Sequence, residues 1–234
     1  QSITSYIYSK NNRKINIFDQ TLYTHPAIFM VECVLAQILL NQGIKPDYVL
    51  GTSIGEFASA AIANVMSPEE ALLALLRQAE ALESSCERGG MLTILSEPNL
   101  YQGIALLHEN SELVSINYSS HFVLSGLRTS IKRIEEFLKK RQINYQSLPV
   151  TKAFHSSNID PAAETYLDFL NQKYYKPPQI PFISCVQAVV LNTLGKRYFW
   201  EVVRRPIRFR EAFEELDKKP GLPLSRFRPL WYAS

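Results

Sequence analysis

The chain is short of the residues that mark several common protein classes. It has three cysteines, Cys33, Cys86 and Cys185, too scattered for a disulfide framework and without metal-ligand spacing. Each reads as a small buried apolar residue, so no metal and a reducing, cytoplasmic setting are expected. A strong charge excess is lacking too: 25 Lys and Arg against 22 Asp and Glu leave +3, which points to no nucleic acid. The longest apolar stretch, 27–40, is interrupted by Glu32, Cys33 and Gln37 and reads as too short and too polar to span a membrane. Repeats and low-complexity tracts are absent. The sequence opens on Gln1 with neither Met nor a signal-like region, so a fragment of a longer chain is expected.

What is present is an ordinary globular composition, 46% hydrophobic and 20% charged over 234 residues. That length suits one sizeable core, with roughly sixty residues left for a second unit. Residues 26–43 read as a helix with Pro26 in its first turn and Gly43 just past its end. Ile28, Phe29, Val31, Val34, Leu35, Ile38 and Leu39 recur at helical spacing and suit burial against a sheet. Residues 47–51 read as a buried parallel strand and 54–64 as the helix after it. Ser67-Pro-Glu-Glu70 is a capping box opening a helix that runs to about Cys86.

From Met91 the pattern changes. Strands are expected at 91–95, 113–116, 122–124 and 143–148, with helices at 98–108 and 128–141 between them. The order β-α-β-β-α-β is that of a ferredoxin-like unit. A helix near 161–173 and a strand at 180–185 then resume the larger part. A small ferredoxin-like unit inserted in a larger α/β domain follows, with 89–149 as the small subdomain and 1–88 plus 150–234 as the large one.

Gly51-Thr52-Ser53-Ile54-Gly55 fits G-x-S-x-G between an expected strand and an expected helix. A sharp turn there exposes the Ser53 hydroxyl, and the Ile54 N–H at the helix start points at a developing oxyanion. Such a serine needs a base. Of His25, His108, His121 and His155, the last stands where the inserted unit rejoins the main sheet. No Asp lies between Ser53 and His155, so a hydrolase triad in the order Ser, Asp, His is not available. A Ser53–His155 dyad held by another acceptor fits better.

These residues resemble a family. Gly51-Thr-Ser-Ile-Gly-Glu56 and Ala153-Phe-His155-Ser are similar to the motifs of the malonyl-CoA:acyl carrier protein acyltransferases. Thr24-His-Pro-Ala27, Asn117 with Ser125-Gly126, and Phe199-Trp200 with Arg205-Pro-Ile-Arg-Phe209 extend the likeness over about 20–215. The resemblance implies an α/β-hydrolase-like parallel-sheet core with an inserted ferredoxin-like small subdomain. It implies a ping-pong reaction through acyl-Ser53, with the Val202 carbonyl orienting His155. Thr52, Gln78, Leu82, His25, Phe154 and Asn117 are the acyl-pocket residues it implies. The substrate would ride on the phosphopantetheine of an acyl carrier protein or on coenzyme A, with no cofactor of the protein's own, no membrane and no nucleic acid.

The departures are informative. Gln78 stands where the family places the arginine that pairs with a malonyl carboxylate, and Leu82 where it has methionine. Arg77 is adjacent, but one helical step turns a side chain by about 100° and off that face. Thr52 replaces a histidine. An unpaired buried carboxylate costs on the order of 3–5 kcal/mol, so uncharged acyl groups are expected. This pattern, and the run from Thr24 to Glu32, look closest to free-standing acyltransferase-like acyl hydrolases of polyketide assembly lines without integrated acyltransferases. The family's Gly-Gln-Gly and Gly-Pro-Gly segments have no counterpart here. Losing an oxyanion donor with the first costs about 10²–10³ in rate. The tail from Asp217 to Ser234 resembles nothing in the family. Alternatives are a malonyl-CoA:acyl carrier protein transacylase, or an inactive module that binds carrier protein through basic residues such as Lys132, Arg133, Lys139, Lys140 and Arg141.

Overall fold

The computed structural model describes residues 20–218; most of the atypical tail lies outside the described residues. The first helix, α1, runs Thr21–Asn41, five residues earlier than Pro26 suggests. Pro26 sits inside it, where its missing N–H costs only the bond to the Leu22 carbonyl. Its end is a Schellman motif: Gly43 has φ +83° and donates to the Leu40 carbonyl, while Ile44 N–H reaches Leu39. At 21 residues, with a mean hydropathy of 1.4 over its apolar window, α1 is long and apolar enough to cross a membrane by length and composition, contrary to the sequence expectation.

The expected burial of α1 against a sheet is also corrected. Of those seven apolar residues only Phe29 is buried; Val31, Val34 and Leu35 are each 57% exposed and Ile38 and Leu39 each 51%. Helix α1 packs on its neighbours through Thr21, His25, Pro26, Ala27 and Phe29 instead. Because it is apolar nearly all round, spacing alone does not say which stripe faces inward. Its outer face borders a groove of about 480 Å³ walled by Glu32, Leu39, Ile44, Tyr48 and Phe209.

Strand β1 (Val49–Leu50) leads through the Gly51–Gly55 turn into α2 (Gly55–Ile62). Helix α3 (Pro68–Ser85) opens on the capping box as expected: Ser67 Oγ accepts from the Glu70 N–H at 3.2 Å and Glu70 accepts from the Ser67 N–H at 2.8 Å. The chain then builds β2 (Gly89–Ile94), α4 (Asn99–Gly103), α5 (Ala105–His108), β3 (Glu112–Tyr118), β4 (His121–Leu127), α6 (Arg128–Lys140) and β5 (Tyr145–Ser147). These four strands form one antiparallel sheet in the order β3-β4-β2-β5, with α6 on it. Its core is Leu92, Ile94, Leu107, Phe122, Leu124 and Ile131 with Ile134 and Leu138, all fully buried.

A short 3-10 turn (Ser157–Ala162), α7 (Ala163–Asn171), β6 (Phe182–Ser184), β7 (Val189–Leu191), α8 (Tyr198–Arg204) and α9 (Phe209–Asp217) complete the described chain. Among the described residues the second sheet is not purely parallel. Strand β1 pairs parallel with β6 (Val49↔Phe182, Leu50↔Ile183), but β7 turns back antiparallel on β6. Hydrogen bonds that join the units include Gly89 N–H to the Thr151 carbonyl at 2.8 Å, Arg128 N–H to the Arg88 carbonyl at 3.0 Å, Ile207 N–H to the Val114 carbonyl at 2.7 Å and Ser157 N–H to Glu112 at 2.8 Å.

Candidate active site

Ser53 stands at the turn between β1 and α2 with φ +54°, a left-handed backbone that a β-carbon disfavours. The turn is tight enough that a Cβ on Gly51 would lie 2.0 Å from the Gly55 oxygen. Position 51 therefore admits glycine only. The Ile54 N–H, expected at an oxyanion, has no hydrogen-bond acceptor among the described residues, whereas Gly55, Glu56 and Phe57 donate to Thr52, Ser53 and Ile54.

His155 comes from the far side, 102 residues later, and also has a left-handed backbone, φ +64°. Its own N–H donates to the Val203 carbonyl at 2.8 Å. The Ser53 hydroxyl lies 3.1 Å from Nε2 of His155. On the other side of the ring, Nδ1 lies 3.0 Å from the Arg205 carbonyl. A carbonyl only accepts, so Nδ1 carries the proton and Nε2 turns a lone pair to Ser53. Burial lowers the His155 pKa to about 4, partly offset by hydrogen bonding to the Arg205 and then the Val202 carbonyl.

The acceptor thus corrects the expectation of Val202. Helix α8 ends at Arg204, and Arg205 before Pro206 is extended (φ −87°, ψ 155°), which swings its carbonyl out to the ring. Val202 keeps a lesser part: Pro206 has no N–H to occupy its carbonyl at the helical position.

The pocket residues separate into groups. Phe154 and His25 are brought to the dyad: both are buried, and their rings meet at 5.2 Å. Burial, and next the neighbouring His155, lower the His25 pKa to about 4. Gln78 is buried on α3 near the Tyr166 hydroxyl, and neither its Nε2 nor that hydroxyl makes a geometric hydrogen bond among the described residues. Arg77 points to solvent and pairs with Glu80 at 2.8 Å, as the helical step requires. Leu82 is core. Thr52 is exposed on the wall of the groove beside α1. Asn117 spends its amide within the β3–β4 hairpin, accepting from Ser115 at 2.7 Å and meeting His121 Nδ1 at 2.9 Å.

Three residues that hold this site were not singled out from sequence. Glu56, fully buried, accepts from the Cys185 N–H at 2.7 Å and from the Tyr198 hydroxyl at 2.8 Å, joining α2 to the end of β6. Burial raises its pKa to about 8, against the pull of those two hydrogen bonds. Lys152, three residues before His155, is buried and donates to the Cys86 carbonyl at 2.8 Å, with Glu83 at 3.3 Å. Arg205 acts through its backbone. Glu56 closes the Gly51–Glu56 motif, Lys152 is a lone cation in an apolar run and Arg205 precedes proline, so each carried a faint signal. The described residues hold no cluster of His, Cys, Asp and Glu able to take a metal.

Residues 4–222 match the family model described as "Acyl transferase domain". The chain is 46% identical over 218 residues to the polyketide biosynthesis acyltransferase homologues BaeD of Bacillus velezensis and PksD of Bacillus subtilis. Each alignment covers 93% of this chain and 67% of the relative. Among solved structures, the malonyl CoA-acyl carrier protein transacylase from Burkholderia pseudomallei superposes with a TM-score of 0.80 at 25% identity, over 92% of this chain and 74% of that one. This chain belongs to the acyl transferase domain family.

Proposed function

We propose that the protein is a serine enzyme of polyketide biosynthesis that takes acyl groups from acyl-carrier-protein thioesters onto Ser53 and releases them to water. The observation that carries this reading is the line Ser53 Oγ, His155 Nε2, His155 Nδ1 and Arg205 carbonyl, at 3.1 and 3.0 Å. As Ser53 Oγ attacks the thioester carbonyl, its proton passes to Nε2, and the Ile54 N–H meets the oxyanion. Collapse breaks the C–S bond, and His155 returns the proton to the departing thiolate. A water then attacks the acyl-serine ester and gives its proton to Nε2. His155 hands that proton to Ser53 Oγ as the acid leaves.

Hydrolysis and uncharged acyl groups are favoured by one difference from a malonyl site. Gln78 faces inward without charge while Arg77 faces solvent. A neutral amide does not offset a carboxylate, and nothing then anchors the acyl group away from water. We read the architecture as an α/β-hydrolase-like core carrying a ferredoxin-like insertion, a reading supported by the parallel β1–β6 pair and the order β3-β4-β2-β5. The basic face of α6 suits an acidic carrier protein. The protein needs no cofactor of its own in this scheme.

The test is mass spectrometry of the intact protein after incubation with acetyl- and malonyl-loaded carrier protein, together with kcat/KM for both. An adduct on Ser53 and a preference for acetyl are expected. Ser53→Ala abolishes the adduct, and His155→Ala slows acylation at least about 10²-fold. A preference for malonyl refutes the hydrolase reading and favours a transacylase.

A further inference from the structure

His25 is a buried imidazole that the dyad does not use. It is 8% exposed, and its Nδ1 makes no hydrogen bond among the described residues. Its ring lies against Phe154, the residue before His155, with the planes tilted by 41°. A neutral imidazole always offers one N–H and one lone pair. Buried polar atoms are nearly always paired, and one left without a partner calls for an explanation such as an absent ligand. Helix α3, packed against α1, holds a second such atom in Gln78 Nε2. The neighbouring cations are committed elsewhere, Lys152 to Cys86 and Glu83, and Arg77 to Glu80.

We propose that His25 is a specificity-determining residue, whose Nδ1 hydrogen-bonds a hydroxyl or keto oxygen on the acyl chain near the thioester carbonyl. The favoured substrates are thus hydroxyacyl and oxoacyl thioesters rather than plain alkyl or carboxylated ones. A hydroxyl or keto oxygen pairs with a neutral ring at no cost in charge, whereas a carboxylate would enter a buried site where the nearby described cations, Lys152 and Arg77, are already paired. An alkyl chain would leave the Nδ1 atom as unpaired as it stands. This inference rests on the acyl-Ser53 reading above and narrows its substrate class.

The experiment measures kcat/KM for acylation by the N-acetylcysteamine thioesters of butyrate, 3-hydroxybutyrate and 3-oxobutyrate, in wild type, His25→Gln and His25→Phe. One hydrogen bond gained in place of an unpaired atom gives about a tenfold preference for the hydroxy or oxo chain over butyrate in wild type. His25→Gln keeps most of that ratio, and His25→Phe brings it to about one or below. Equal rates for the three thioesters in wild type, with Ser53 still acylated, overturn the role of His25 and leave the acyl-serine reading standing. A ratio unchanged in His25→Phe overturns it equally. Absence of acylation by any thioester refutes the acyl-serine reading and takes this inference with it. Should His25→Phe fail to fold, the wild-type ratio and that of His25→Gln still decide.

Discussion

The antiparallel unit of 89–147 and the mixed-sheet unit around it are built on opposite terms. In the first, strands drawn from one stretch of chain pair with one another, and eight fully buried apolar side chains close the core. In the second, residues far apart in sequence meet, and the four buried histidine, glutamate and lysine side chains among the described residues, His25, Glu56, Lys152 and His155, are found there. Left-handed backbone also differs in kind. Gln142, just past the end of α6, has φ +56° where such a conformation is common at a helix end, whereas Ser53 and His155 hold it where their side chains meet. One unit is organised for stability, and the other spends stability on placing a serine–histidine pair and buried polar groups.

Three changes sharpen this contrast, in falling order of effect. Gly51→Ala drives a Cβ to 2.0 Å from the Gly55 oxygen, so the elbow cannot close. Acylation is expected to fall below detection and the mixed-sheet unit to lose several kcal/mol, at the upper end of about 4–5 for single changes. Hydrogen exchange should still find β2 and β4 protected. Loss of protection in both units alike would show that they do not fold separately.

Acidity comes next. Unfolded, each buried histidine takes its proton near its ordinary value of 6.5; folded, only near 4. Between those values the unfolded chain holds more protons, so stability rises with pH by on the order of 3 kcal/mol per ring. Glu56 works the other way: its folded pKa is about 8 against an ordinary 4.5, so its contribution, full below 4.5, is lost as pH rises through 8. Denaturant melts across pH 4–9 should show a maximum near pH 6–7, with Glu56→Gln flattening the alkaline side. A flat profile would contradict the burial of all three groups. The smallest effect is expected at Val34, on the open face of α1. Val34→Gln should change stability by no more than about 0.5 kcal/mol, whereas a loss above about 1 kcal/mol in the same melts would show that something covers that face.

Local structure was legible where the rule is local. The capping box, the glycine after α1, the serine elbow and the β-α-β-β-α-β order all follow from residues within a few positions of one another. The meeting of Ser53 with His155 was legible because each carries a motif, and the inward face of Gln78 because a helical register can be counted. What was missed depends on the third dimension. Strand β7 is three residues long and α8 seven, too short for periodicity to speak. The acceptor of His155 is a backbone atom, which has no letter in the sequence. The inward stripe of α1 was unreadable because nearly every face of that helix is apolar.

The hydrogen bond between Gly89 and Thr151 has a consequence for the order of assembly. Strands β1 and β6 are far apart along the chain, and bringing them together first would close one very long loop. The antiparallel unit lies wholly inside that loop and is made of nearer contacts, which form sooner. Once it has formed, its two ends are already pinned side by side, and the chain still to be gathered is roughly halved. By polymer statistics that recovers only about 0.6 kcal/mol, but it comes before any contact of the main sheet has formed. Refolding should then be biphasic, a quick phase in the antiparallel unit and a slower one in which Ser53 meets His155, so that pair is the last part of the molecule to exist.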